Sequence, residues 1–375
     1  MMSVSAREEN RHVNKQEEVM VMGRRIVLLV FAVLLFFATY SVTDAAEVIK
    51  VKFSNFFPAT HRTAVVFDGF CKEIDKRTNG KVEMAYFVGG SLLTPTKTAA
   101  GVSTGIADIG LSHCSYTRGR FPVMEVMELP LGFPSAWIAS HVANDYYDKF
   151  KPKEWEDFQP LLFSGGPTCV VYTLDKPVRT LEDLKGLKIR ATGRTADIAK
   201  ALGASPIPMD IGDVYEAFRR GVLDGGMTGL DLMVGLKFGE LLKYTTESWK
   251  VGFVNTFYVV MNKRKWQALP PDVKKVFADV SQEYKEKWAV AWNEADIEGR
   301  EFQKSKGGQF IPLSDQEAAR WQKAVQPVIA SYKTDLVSRG FNEKEIDGWI
   351  SFVRERIEYW KGQEKLKNIP TAYKY

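Results

Sequence analysis

Apolar and polar positions alternate through Val48-Ile-Lys-Val-Lys-Phe53, the period of a strand with one buried face. The period then lengthens, with Val65, Phe67, Phe70 and Ile74 marking a helix that stops near Asn79-Gly80, and Lys81–Val88 returns to strand. This β-α-β rhythm continues through a helix over Thr94–Val102 and a strand entered from Gly105-Ile-Ala-Asp-Ile-Gly110. A further helix carries Trp137, His141 and Tyr146. Asp213–Leu223 places Val214, Tyr215, Phe218 and Val222 at helical spacing, as a core face, and the chain returns to a strand through Gly221–Gly225. From Pro270-Pro271-Asp272 to about Lys304 the same period persists for longer than in most globular helices. The strand Gln309–Pro312 follows, then a capping box at Ser314-Asp-Gln-Glu317 and closing helices that include Glu343–Trp360.

Within this pattern Leu181–Gly193 is the most informative stretch. Thr180 can cap a short turn with Glu182 and Asp183 in its first residues, where the helix dipole favours acids. Gly186 ends the turn, and Leu187, Ile189 and Ala191 alternate with Lys188 and Arg190. Thr192-Gly193 closes that strand ahead of a helix over Thr195–Gly203. Arg190 therefore stands at the carboxyl end of a strand in an α/β pattern, where open sheets bind ligands. Its planar fork of donors suits a carboxylate. A structural salt bridge at the strand end is the alternative.

The first 45 residues fall outside this pattern. Met1–Val21 is polar and of mixed charge, with no means of forming a core. Gly23-Arg24-Arg25 and the apolar run Ile26–Tyr40 have the length and flanks of a signal peptide, with Thr43-Asp44-Ala45 as a cleavage site. An uncleaved anchor is the alternative, and Met20 and Met22 both offer later starts. Cleavage leaves about 330 residues, beyond the size of one core, so two lobes are expected. The formal charge of +5 is spread without a basic run and gives no support for nucleic-acid binding. Cys71, Cys114 and Cys169 lack metal-ligand spacing and read as buried thiols, with one disulfide the alternative. No cofactor is implied.

The order Pro177-Val178, Leu181–Gly193, Gly203–Pro208, Asp213–Gly225, Met261–Trp266 and Leu269–Asp272 resembles the solute-binding proteins of TRAP transporters, the DctP family. Glu128-Leu-Pro-Leu-Gly-Phe-Pro134 and Gly89-Gly90-Ser91-Leu92 resemble further segments of that family. The resemblance implies an α/β, two-lobed periplasmic binding protein fold with a central ligand cleft and a long helix spanning both lobes. The lobes are expected to comprise residues 46–167 with 255–295 and residues 168–254 with 296–375. Leu161–Val171 would be the strand that crosses between them.

The resemblance also places the candidate ligand contacts. Arg190 would hold the carboxylate. Asn55, Phe56, Phe57 and His61 follow the first strand, and Ser112, His113 and Tyr116 lie just beyond the Gly105–Gly110 entry. Many sialate- and dicarboxylate-type members carry a second arginine where this protein has Cys169, and a supporting Asn where it has Thr228. Trp249 and its aromatic neighbours would lie where the chain returns to the first lobe. One arginine without a second, among many aromatics, favours a monocarboxylate with an apolar or aromatic body.

The function implied is capture of an organic acid in the periplasm and its delivery to TRAP membrane permease subunits, by a monomer without catalytic activity. A ligand-binding module for a membrane sensor is the alternative. An exported enzyme is a third class, but there is no His-Glu-x-x-His or P-loop to support it.

Overall fold

Residues 20–24 and 48–375 are described in the computed structural model. The apolar run Ile26–Tyr40 and the cleavage site after Ala45 lie outside the described residues. Met1–Glu47 and Val48–Tyr375 separate as two units, and every element named below belongs to the second.

The second unit opens with β1 (Ile49–Asn55), α1 (Arg62–Arg77), β2 (Val82–Phe87), α2 (Thr98–Thr104), β3 (Ile109–His113), α3 (Ala136–Phe150) and β4 (Phe158–Gly165). It continues through β5 (Val170–Thr173), α4 (Leu181–Leu184), β6 (Lys188–Arg190), α5 (Gly193–Ala201) and β7 (Ser205–Ile207). Next come α6 (Val214–Arg219), β8 (Gly225–Thr228), α7 (Leu232–Gly235) and β9 (Tyr244–Glu247). The last elements are β10 (Thr256–Asn262), α8 (Lys263–Ala268), α9 (Pro271–Ser305), β11 (Gln309–Pro312), α10 (Asp315–Ser338) and α11 (Glu343–Leu366).

The strands build two sheets, in the orders β2-β1-β3-β10-β4 and β11-β9-β5-β8-β6-β7. In the first, β1, β2 and β3 run parallel, and β10 is antiparallel to both β3 and β4. In the second, β6 is parallel to β7 and β8, whereas β5 is antiparallel to β8 and β9. β10 thus returns to the first sheet after most of the second has been built.

Two expected elements differ. Leu161–Val171 is not one strand: β4 ends at Gly165, β5 starts at Val170, and the two lie in different sheets. Pro167 has no N–H for a ladder and interrupts the run. The helix expected over Asp213–Leu223 stops at Arg219, and Gly221 turns the backbone with φ of +67°. Val222 consequently leaves the expected core face and is exposed, while Val214 and Phe218 are buried. The cap of α4 is as read, with the Asp183 carboxylate accepting from the backbone of Arg179 (2.8 Å) and Thr180 (3.0 Å). Cys71, Cys114 and Cys169 are free and buried.

The 35-residue α9 spans both lobes. Its Trp288 packs edge-on against Phe67 of α1 and Phe257 of β10, at the first sheet. Further along, Gln303 accepts from Thr245 of β9 (2.7 Å) and donates to Leu242 O (3.2 Å), at the second. The two closing helices diverge. α10 packs on α5, and α11 reaches back to α3, where Arg356 and Trp360 both donate to Asp145 at 2.7 Å.

Gly299 lets α9 lie close against the segment that follows β8, because a Cβ there would collide with Leu230 O. An alanine in place of glycine ordinarily stabilises a helix interior by about 1 kcal/mol. Here the sign reverses. Gly299→Ala is expected to destabilise by about 1–3 kcal/mol through forced displacement of the Leu230 segment, read as a lower urea midpoint at unchanged m-value.

Candidate functional site: an aromatic cleft with a buried arginine

Arg190 ends β6 between β7 and β8. Its side chain is buried, and the guanidinium donates to Met209 O (2.9 Å from Nη2, 3.3 Å from Nε) and to Tyr116 Oη (3.2 Å). Met209 follows β7, whereas Tyr116 sits in a tight turn after β3, so the group is held between the two sheets. Both acceptors are neutral. Among the described residues no carboxylate lies within 4.0 Å of this guanidinium.

Arg194, four residues on, provides the contrast. It is equally buried, but its Nε meets Glu125 at 2.9 Å, and Asp197 and Asp335 approach at 3.4 and 3.5 Å. One arginine of the pair is neutralised by the fold; the other keeps its charge without an internal counterion. Gly193 brings both into place. Its φ is +52°, and a Cβ there would lie 2.6 Å from the Cα of Ser115, so only glycine lets α5 start against the turn after β3.

Around Arg190 lies a pocket with about 370 Å³ of space between atoms, part of it open to solvent. Phe56, Phe57, His113 and Tyr116 wall it from the first sheet, and Ile211, Thr228, Asp231 and Leu232 from the second. Asn255 and Phe257 close it where the backbone re-enters β10, and Trp292 of α9 forms a further wall. Phe257 and Trp292 pack with centroids 5.0 Å apart, and Phe56 meets Tyr116 edge-on at 5.7 Å. The surface is thus mostly apolar and aromatic with few polar groups, as in small-molecule sites generally.

His113 is buried, with its Nδ1 lacking a hydrogen-bond partner among the described residues. Burial, assisted by the nearby Arg190 charge, holds its pKa well below the usual histidine range. The imidazole is therefore neutral at physiological pH and offers one donor and one acceptor. Among the described residues no group of three ligand-type side chains could hold a metal ion.

Residues 53–335 match the DctP family, described as Bacterial extracellular solute-binding protein, family 7. This chain belongs to that family. A solute-binding protein of Albidiferax ferrireducens is 27% identical over 264 residues, covering 68% of this chain and 76% of the relative. A TRAP periplasmic solute-binding protein from Desulfovibrio salexigens, in an open complex with the C-terminus of a symmetry mate in its ligand-binding site, aligns with a TM-score of 0.73. It is 33% identical, over 84% of this chain and 97% of that one. A TRAP solute-binding protein from Rhodoferax ferrireducens, in complex with copurified benzoate, aligns with a TM-score of 0.77. It is 25% identical, over 83% of this chain and 98% of that one. The two-sheet fold is that of the TRAP binding proteins, and DctP-family proteins bind solutes rather than catalyse reactions.

In this DctP-family protein, Arg190, Phe56, His113, Tyr116 and Thr228 come together at the cavity. Phe57, expected beside them, lines it too. Thr228 Oγ1 lies 2.9 Å from Tyr172 Oη and donates to Gly229 O at 3.2 Å. Five expected contacts do not line it, the first being Ser112, whose hydroxyl donates to Pro95 O (2.8 Å). Asn55 donates to Tyr86 Oη (2.7 Å) and accepts from Phe57 N (2.9 Å), which shapes the loop after β1 from within. His61 caps α1, its Nδ1 accepting from Thr63 N (3.1 Å), and its ring stacks behind Phe57 at 4.0 Å. Cys169 is fully buried, its sulfur 3.8 Å from Asn255 Nδ2. Trp249 stacks on Tyr373 at 5.9 Å, on another groove.

Asp231, Asn255 and Trp292 were not foreseen from sequence. Asp231 stands just past the carboxyl end of β8, so the positional rule that singled out Arg190 could have found it, whereas Asn255 precedes β10, at the amino end, where that rule is silent. Trp292 carries no such signal, because its cavity face continues the apolar stripe of α9.

Several carboxyl groups are buried near these elements. Glu128 accepts from Ser115 Oγ (2.5 Å) and Thr256 N (3.0 Å), yet burial pushes its pKa up to about 7. Burial likewise raises Glu364 to about 7, and Glu154 and Asp296 to about 8. Each binds a proton in the folded protein at pH values where the unfolded chain has released it. Stability from this source is full below the ordinary carboxyl range and is lost as pH rises through 7 to 8. His113 acts oppositely, because the unfolded chain takes up its proton below about pH 6.5, but it is one group against four. The urea midpoint of the folded protein is therefore expected to be higher at pH 6 than at pH 8. A flat or rising profile across that interval would contradict the burial of these acids.

Proposed function

We propose that this protein captures a monocarboxylic acid with an apolar or aromatic body in the periplasm and delivers it to the membrane permease of a TRAP transporter. The observation that carries this reading is the pair Arg190 and Arg194: the second is neutralised by three carboxylates, and the first faces an aromatic cavity with no carboxylate within 4.0 Å of its guanidinium among the described residues. A ligand carboxylate supplies the missing counterion and an acceptor for Nη1, which no described residue engages. The flat apolar body of the ligand would then pack against Phe56, Phe57, Phe257 and Trp292, which give contact area without fixing chemistry.

The relatives support the class of ligand. Benzoate, bound by the Rhodoferax ferrireducens protein, is a monocarboxylate with an aromatic body. The Desulfovibrio salexigens protein holds the C-terminus of a symmetry mate in its ligand-binding site, and a polypeptide ends there in a carboxylate too. We take the lobes as residues 46–167 with 255–295 and residues 168–254 with 296–375. The ligand favours their closure because Arg190 from one and Tyr116 from the other would both touch it. α11, in the second group, lies on α3 of the first and ties the two together.

Removal of Arg190 leaves a buried carboxylate unpaired, which costs about 3–5 kcal/mol in comparable buried pairs. Calorimetric titration of the mature protein against a panel of aromatic and aliphatic monocarboxylates is expected to yield a binder. Its affinity should fall by at least about a hundredfold in Arg190→Ala. Near-normal affinity in that variant would refute the assignment, and binding of di-acids alone would refute the ligand class.

A further inference from the structure

Asp231 stands out among the cavity residues because it places a negative charge in a site built for an acid. Its side chain is about 5% exposed, and its Oδ2 lies 3.0 Å from His61 Nε2. The histidine does not cancel the charge. His61 Nδ1 accepts from the backbone N–H of Thr63 at 3.1 Å, so that nitrogen carries no proton. The ring proton is then on Nε2, and a neutral imidazole donates it to Asp231. A notch at Gly235, where any Cβ would strike the His61 ring, fixes this arrangement.

The other oxygen of Asp231 is uncommitted. Among the described residues no donor reaches Oδ1, although the side chain is almost wholly buried. Oδ1 lies beside Gly229 and Pro167: a Cβ built on Gly229 would meet Oδ1 at 2.6 Å and the Pro167 ring at 2.5 Å. Gly229 and Pro167 both line the cavity, which places Oδ1 on its wall. Asp231 and Arg190 thus face one cavity with no ion pair between them within 4.0 Å. Asp296, behind Asp231, adds no charge near neutral pH, because burial holds it protonated up to about 8.

We propose that Asp231 is a specificity-determining residue: its free oxygen accepts a hydrogen bond from a donor on the body of the ligand, a hydroxyl or an ammonium group, and repels a second carboxylate. The preferred solute is then a monocarboxylate that carries such a donor. This rests on the reading of Arg190 as the carboxylate anchor and refines it. A hydrogen bond to a charged acceptor is strong, and a buried acceptor left without a donor is penalised in full, so an acid lacking the group is discriminated against.

Titration calorimetry on the wild-type protein with matched acids tests this. One series is benzoate, its three ring-hydroxylated isomers and its three ring dicarboxylates; a second is phenylacetate, mandelate and phenylglycine, which separates hydroxyl from ammonium. At least one donor-bearing acid is expected to bind about tenfold or more tightly than its parent, and the dicarboxylates to bind more weakly than benzoate. In Asp231→Asn the preference should shrink to within about threefold, and affinity for the best dicarboxylate should rise about tenfold, a gain that misfolding cannot mimic. If Asp231→Asn does not fold, as judged by its unfolding midpoint, Asp231→Ser and the wild-type series still decide. If parent acids bind in an Arg190-dependent way with no advantage to any donor-bearing acid, or if the preference survives in the variant, the role of Asp231 is refuted and the anchor stands. If the wild-type protein binds no acid in either series, the anchor fails, and this inference fails with it.

Discussion

A buried guanidinium with no ion-pair partner among the described residues organises the centre of this protein. Burying a guanidinium is costly unless its donors and its charge are both answered. The fold answers Nε and Nη2 of Arg190 with Met209 O and Tyr116 Oη and leaves Nη1 and the charge. The acceptors come from two sheets, so the arginine is in place only when both are. The tight turn after β3, the glycine that opens α5 and the short β6-β7-β8 ladder all meet here.

The rest of the architecture makes that meeting reproducible. α9 lays tryptophans against the first sheet and a buried glutamine against the second, so one rigid rod references both. Arg194 contributes in the same sense. Its carboxylate partners come from the turn before α3, from α5 itself and from α10, which locks the start of α5 from three directions. The same residue type, four positions apart, thus performs opposite tasks: one charge is spent on holding the frame, the other is presented by it.

Much of the frame was legible in the sequence. β11 and the capped start of α10 fall on the expected residues, because their punctuation is local and unambiguous. Arg190 was legible by position, at the carboxyl end of a strand. What failed was anything set by distant neighbours. The loop after β1 offered Asn55, Phe56, Phe57 and His61 as equals, yet only the phenylalanines reach the cavity, because Tyr86 claims the amide and the start of α1 claims the imidazole. No local pattern distinguishes a histidine that caps a helix from one that meets a solute. The break at Gly165-Gly166-Pro167 carries a local signal, but the change of sheet across it does not, since that is a long-range fact.

That break has mechanical significance. Gly166 and Pro167 lie on one of the segments that connect the sheets, and Asn255 lies on another, with Gly166 N donating to Asn255 O at 2.8 Å. All three also line the cavity. The joints and the pocket are therefore built from the same atoms. On the proposed reading, a solute resting there would bear directly on the pivots, so the angle between the sheets would be read at the point of contact without a relay of side chains.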